Sequence, residues 1–270
     1  MRRRRRAAVA FSAPSSAAPT STRHGSRGPG TRSRRPARVL SYALVLLAGA
    51  LLQPAVGAGG EGAPALPRGV PPAELARIER VLAKATVSTR VEIEPYPLRL
   101  DVFDYLLDHP DFATQVTRAM KLARYRIWRT ADGLNLDDGW GVTGLITPMY
   151  GDRGLRVIYA RGRYEQSMLP DIRGQAVILL RYADGPGPNS RPALATSMEV
   201  FAQLDSAMLA TLAGSIVRSK ATSEARHVLK VFSRLSTHLE RRADEVLAEL
   251  GRRPEVSRPE LDGFRKVLGR

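Results

Sequence analysis

The chain has 270 residues, 42 Lys and Arg against 26 Asp and Glu, and no cysteine, which excludes disulfides, thiolate metal sites and cysteine nucleophiles. The formal charge of +16 is uneven: residues 1–58 hold 11 of the bases and no acid, and the remaining 31 bases face all 26 acids. A body so nearly balanced, with both signs interspersed, has the pattern of an ordinary solvated surface and argues against a nucleic-acid-binding domain.

The first 38 residues are acid-free and rich in Arg, Ser, Pro and Gly, a composition that buries no core. Val39–Leu52 then runs without charge for 14 residues, short of the ~20 that span a bilayer as a helix. Val56 and Ala58 stand at the −3 and −1 positions of a small-residue cleavage site, so residues 1–58 read as a basic leader with a signal peptide cleaved near Ala58. This predicts a periplasmic or secreted protein. The pair in "SRRPAR" leaves general and twin-arginine export both open, and an uncleaved anchor, an organellar transit peptide and an early start codon are the alternatives.

Residues 59–71 form a Gly/Pro linker, and a single domain is expected over 72–253 with a tail over 254–270. Leu75, Ile78, Val81 and Leu82 follow helical spacing after Pro71–Pro72, predicting a short helix over 72–85 on the outside of the domain. "TRVEIEPYPL" alternates Val91 and Ile93 with Glu92 and Glu94, a half-buried strand that Pro95 and Pro97 are expected to end. Two short helices follow, one from Asp101 as N-cap with Val102, Phe103, Leu106 and Leu107 on one side, the other from Pro110 with Phe112, Val116 and Met120.

From there the period is two. "ARYRIWRTAD", "DDGWGVTGLITPM", "LRVIYARGRYEQ", "RGQAVILLRYAD" and "PALATSMEVFAQL" are separated by turn-rich segments, predicting an antiparallel meander, six strands in all with the first, and "GLNL" available as a seventh. A helix over 205–219 with Asp205 as N-cap places Leu209, Leu212, Ala213 and Ile216 on one face. After a break at "KATS" a longer helix runs to Gly251, and Ser257 with Glu260 has the capping-box spacing of a last turn or two.

The order strand, two short helices, meander and long helix resembles the START-like, or SRPBCC, helix-grip superfamily, which includes polyketide cyclase-type members. The resemblance rests on "VEIEPYPLRLDVFDYLLDHPDF", "ARYRIWRTADG" and "FAQLDSAMLATLAGSIVRSKATSEARHVLKVFSRLSTHLERR" and covers about residues 88–240. It implies an α+β helix-grip fold, a curved antiparallel sheet of six to seven strands wrapped around the long C-terminal helix. A deep cavity would lie between them, with the two short helices plugging one end.

No catalytic motif stands out. His227 and His238 are eleven residues apart, about 16 Å along a helix and too far to share a metal, and "ADGLNLDDGWG" lacks calcium-loop spacing and reads as a hairpin turn. Arg161 and Arg163 share a strand face with Val157 and Tyr159; turned inward they would need an anionic ligand or Glu199 as partner, turned outward they are solvated. Tyr125, Trp140, Met149, Met168 and Met198 are candidates to line a pocket, Met because it adapts to irregular ligands. The expected ligand-binding set is therefore Tyr125, Trp140, Tyr159, Arg161, Met198, Leu209, Leu212, Ala213 and Ile216.

Three functions are compatible with this reading. The first is an exported, non-enzymatic carrier or sensor of a hydrophobic or amphipathic molecule, without a cofactor or metal and without nucleic acid, in transient contact with a membrane surface. The second is a cyclase- or hydrolase-type enzyme, and the third a structural envelope protein with a filled core. Oligomeric state and ligand identity are left open.

Overall fold

The computed structural model describes residues 64, 66–166, 169–187 and 192–270. The expected leader over 1–58 and Met168 lie outside the described residues. The elements are α1 (Pro72–Ala83), β1 (Val87–Tyr96), α2 (Leu100–Asp108), α3 (Pro110–Ala119), β2 (Arg126–Thr130), β3 (Gly133–Asp137), β4 (Val142–Asp152), β5 (Leu155–Gln166), β6 (Leu169–Pro186), β7 (Pro192–Leu204), α4 (Ala207–Gly251) and α5 (Arg258–Leu268). The fold is α+β, and "GLNL" supplies the seventh strand, β3.

All seven strands pair antiparallel in one open sheet of order β1-β7-β6-β5-β4-β3-β2. Of the two prolines expected to end β1, Pro97 follows its last residue and Pro95 lies inside it. It continues through Pro95 to Tyr96, and its pairing with β7 shifts register between Ile93 and Tyr96, an irregularity that absorbs a residue with no ladder donor.

Strand alternation divides the sheet into two faces. On β6, Ile178, Leu180 and Tyr182 join a core with Phe103, Phe112, Leu229, Leu235, Leu250 and Phe264 from α2–α5. Val177 and Leu179 point the other way, where Ile78 and Val81 of α1 cover them together with Val157. Burial on both faces explains why "AVILL" is a continuous apolar run and does not alternate.

The helices correct three expectations. Asp101 lies inside α2, behind Arg99 at the N-cap, and its carboxylate accepts from the amide of Val102 at 2.8 Å. Asp205 lies before α4, which starts at Ala207, and α4 runs through 220–223 without a break; its only non-helical φ/ψ among the described residues is at Arg242 (φ −144°, ψ 36°). Helix continuity there rests on tertiary partners. Thr222 donates to the Arg218 carbonyl at 2.8 Å and its hydroxyl lies 2.6 Å from that of Thr89 on β1.

The expected tail is also more than a turn or two. Ser257 caps α5, accepting from the Glu260 amide at 3.4 Å, and the 11-residue helix buries Leu261 and Phe264 in the main core. Tyr105 donates to the Glu260 carbonyl at 2.5 Å and stacks on Phe264 at 5.8 Å, so α5 is part of the domain. α4 rests on β1 and β7, while β2 at the far edge touches α3, which packs on α4. That arrangement leaves the middle strands bridged at both sides and less covered between.

Candidate functional site

The uncovered stretch is lined by small residues in register. Gly144 of β4 faces Gly162 of β5, which faces Gly174 of β6; in the next row Ile146 faces Ala160, then Ala176, then Ala202. The glycines are dictated by strand approach. A Cβ at Gly144, Gly162 or Gly174 would sit 2.5, 2.4 or 2.5 Å from a carbonyl oxygen of the neighbouring strand.

Small residues opposite the first half of α4 leave a cavity of about 230 Å³, whose walls include Val200, Leu204, Ile172, Val217 and Ala221. Its polar lip is built by Lys220. The ammonium lies 2.8 Å from Glu224, 3.0 Å from Asp138 and 5.7 Å from the Tyr164 ring centre. Asp138 is buried and fixed by the β3–β4 turn, its Oδ1 accepting from the amides of Trp140 at 2.7 Å and Val142 at 2.9 Å. Burial pulls the Lys220 pKa down, but the hydrogen bonds and charges of Glu224 and Asp138 outweigh it and hold the ammonium above the ordinary lysine value. The lip is thus one fixed cation between two carboxylates, closing an apolar compartment. Among the described residues the lip places no nucleophile beside a base.

Of the expected ligand set, Arg161 is among the residues bordering the cavity, while Tyr125, Trp140, Tyr159 and Met198 lie away from it. The side chains of Tyr159 and Arg161 point to the opposite face of the sheet. The Tyr159 ring packs under Arg77 at 5.3 Å and its hydroxyl donates to Gln175 at 2.8 Å, while the Arg161 side chain is exposed. Arg161 therefore needs no buried anion, and Glu199 pairs with Arg90 at 3.4 Å and Arg181 at 3.8 Å instead. Met198 packs in the filled part of the core between Val91 and Leu180, and Met149 is buried beneath α1. Tyr125 is turned to α3, where burial pushes its phenol up to about 12 and a hydrogen bond with Thr117 opposes the rise. Trp140 is 59% exposed at the β3–β4 turn, and Ile216 is 38% exposed beside Val217 of the cavity wall. Leu209, Leu212 and Ala213 belong to α4, but their side chains lie outside the described ones.

A second polar cluster is a fastening. Arg156 donates to Asp104 at 2.9 Å and Asp108 at 3.0 Å, and the buried Tyr182 donates to Asp104 at 2.5 Å and to the Asp152 carbonyl at 3.0 Å. Burial, then the bond to Asp104, keeps the Tyr182 phenol protonated far above its ordinary range. These bonds tie α2 to β5 and β6.

Among the described residues no group of three or more His, Asp or Glu is placed to hold a metal ion, and no helix is long and apolar enough to cross a membrane. No protein-family model and no curated protein matches the chain.

Proposed function

We propose that the chain is an exported carrier or sensor of the START-like, helix-grip kind, holding a small hydrophobic or amphipathic molecule between the sheet and α4. The observation that carries this reading is the 230 Å³ cavity with its apolar walls and single polar lip. Its volume lies below the ~300–1,000 Å³ of ordinary ligand pockets, which favours a compact apolar molecule or one arm of a larger amphiphile. The lip carries one positive and two negative charges, so an uncharged or cationic head group suits it better than a free carboxylate. Each buried methylene contributes roughly 0.8 kcal/mol without any dedicated side chain, and binding of that kind leaves no motif. An enzyme would need an acid–base pair facing the ligand, whereas Lys220 and Glu224 are held to one another at the rim. The basic leader and the apolar run Val39–Leu52 support export, and N-terminal sequencing of the mature protein should begin near Gly59.

Ala160 in the cavity floor provides the test. The wild type should enhance the emission of the uncharged probe N-phenyl-naphthylamine, and Ala160→Leu should abolish the enhancement with little change in Tm. A wild type that binds no probe, or a variant that binds it equally well, overturns the carrier.

A further inference from the structure

We infer that the surface beside the cavity mouth is a docking site for an anionic lipid bilayer. A groove there is lined by Arg118 and Lys121 at the end of α3, Arg124, His227 of α4 and Trp140, and no acidic residue lines it. None of Arg118, Lys121, Arg124 and His227 is ion-paired among the described residues. The guanidinium of Arg124 lies 5.3 Å from the centre of the Trp140 ring, which is the most exposed large apolar side chain among the described residues.

The backbone adds an independent sign. Lys121 has φ 56°, the only positive φ of a non-glycine among the described residues. It closes α3 in a Schellman turn, with Lys121 N bonded to the Arg118 carbonyl at 3.0 Å and Leu122 N to that of Thr117 at 2.9 Å, a place that normally takes glycine. A cation at a helix C-terminus is favoured by the dipole, but that preference is met as well by Arg118 in a relaxed conformation. The Schellman turn accounts for the φ; a lysine there, where glycine would be relaxed, adds a fourth basic group to Arg118, Arg124 and His227.

The partner is a membrane because the basic groups are interleaved with exposed apolar ones. Trp is the side chain of membrane interfaces, and phosphate head groups pair with Arg and Lys around it. The same turn borders the cavity. Asp138, which holds Lys220 at the lip, is two residues from Trp140 and accepts its amide hydrogen. One helical turn before Lys220, Ile216 is also exposed. The docked face therefore borders the mouth, and resting on the carrier reading, it is where ligand passes between cavity and bilayer.

The full-length chain tests this through its two tryptophans, Trp128 and Trp140, neither of which is in the leader. In a Trp128→Phe background, vesicles of phosphatidylglycerol and brominated phosphatidylcholine should quench Trp140. Quenching should vanish in phosphatidylcholine alone and fade at high salt. Lys121→Glu with Arg124→Glu, both at exposed positions, should lower the vesicle partition coefficient about tenfold or more. Several results overturn the site: co-sedimentation with Trp140 unquenched (attachment by the leader), quenching indifferent to the double variant, or tighter and equally variant-sensitive binding of a single-stranded oligonucleotide or of inorganic phosphate. Probe binding without vesicles reports the cavity separately, so docking and carrying fail independently.

Discussion

The space between sheet and helices has two halves built on the same strands. Toward α2, α3 and α5 it is filled by rings: Phe103 meets Tyr182 and Phe232 edge-on, each at 4.9 Å, and Phe112 meets Phe264 at 5.3 Å. Toward the start of α4 the same face offers Gly144, Ala160, Gly162, Ala176 and Ala202, and a cavity remains. Backbone topology is shared, and side-chain volume alone separates a packed core, dense as an organic crystal, from a hollow compartment. The glycines add a constraint, since strands that approach this closely admit no larger residue.

Emptying the filled half should have the largest effect. Phe103→Ala removes a fully buried ring and should lower unfolding stability by about 3–5 kcal/mol in denaturant titration. Alkali comes next. The neutral phenol of Tyr125 is the form the fold favours, with a folded value of about 12 above the unfolded 10.0. Its contribution is full below the unfolded value and lost as pH rises toward the folded one, on the order of 2 kcal/mol. Tyr125→Phe should remove that part of the pH dependence of stability between those limits. Lys121→Gly relieves the left-handed lysine and should raise stability by about 0.5–1 kcal/mol, while vesicle affinity falls. The smallest change belongs to the hollow half: Ala160→Leu should shift stability by less than about 1 kcal/mol, where a comparable insertion into packed core costs ~1–3. Equal costs for added bulk in both halves would erase the distinction between them.

Much of the framework is legible in the sequence because it is periodic. The alternation around Val91, the paired short helices and the heptad-like run from Val228 to Leu250 each name their element. The break expected at "KATS" fails because Ser and Thr disfavour helices only locally; Thr89 and Asp138 hold Thr222 and Lys220 within one helix. The capping box of Ser257 and Glu260 announces α5, but nothing near it reveals that Phe264 reaches Phe112. The cavity was the least legible part. Tyr125, Trp140, Tyr159 and Met198 are large, and large side chains fill space or face solvent. What makes the hollow is smallness at Gly144, Gly162 and Gly174, positions that mean nothing together until the register aligns them.

The placement of β1 beside β7 also sets an order of events. The hydroxyl of Thr86, just before β1, donates to the carbonyl of Ala202, 116 residues on. Every other strand pairs with a sequence neighbour. At ~5–20 residues per second of synthesis, β1 waits on the order of ten seconds for its partner to emerge. Pairing across so long a stretch of chain raises contact order, which slows folding in general. β1 thus stays without its strand partner until about three quarters of the chain has been made.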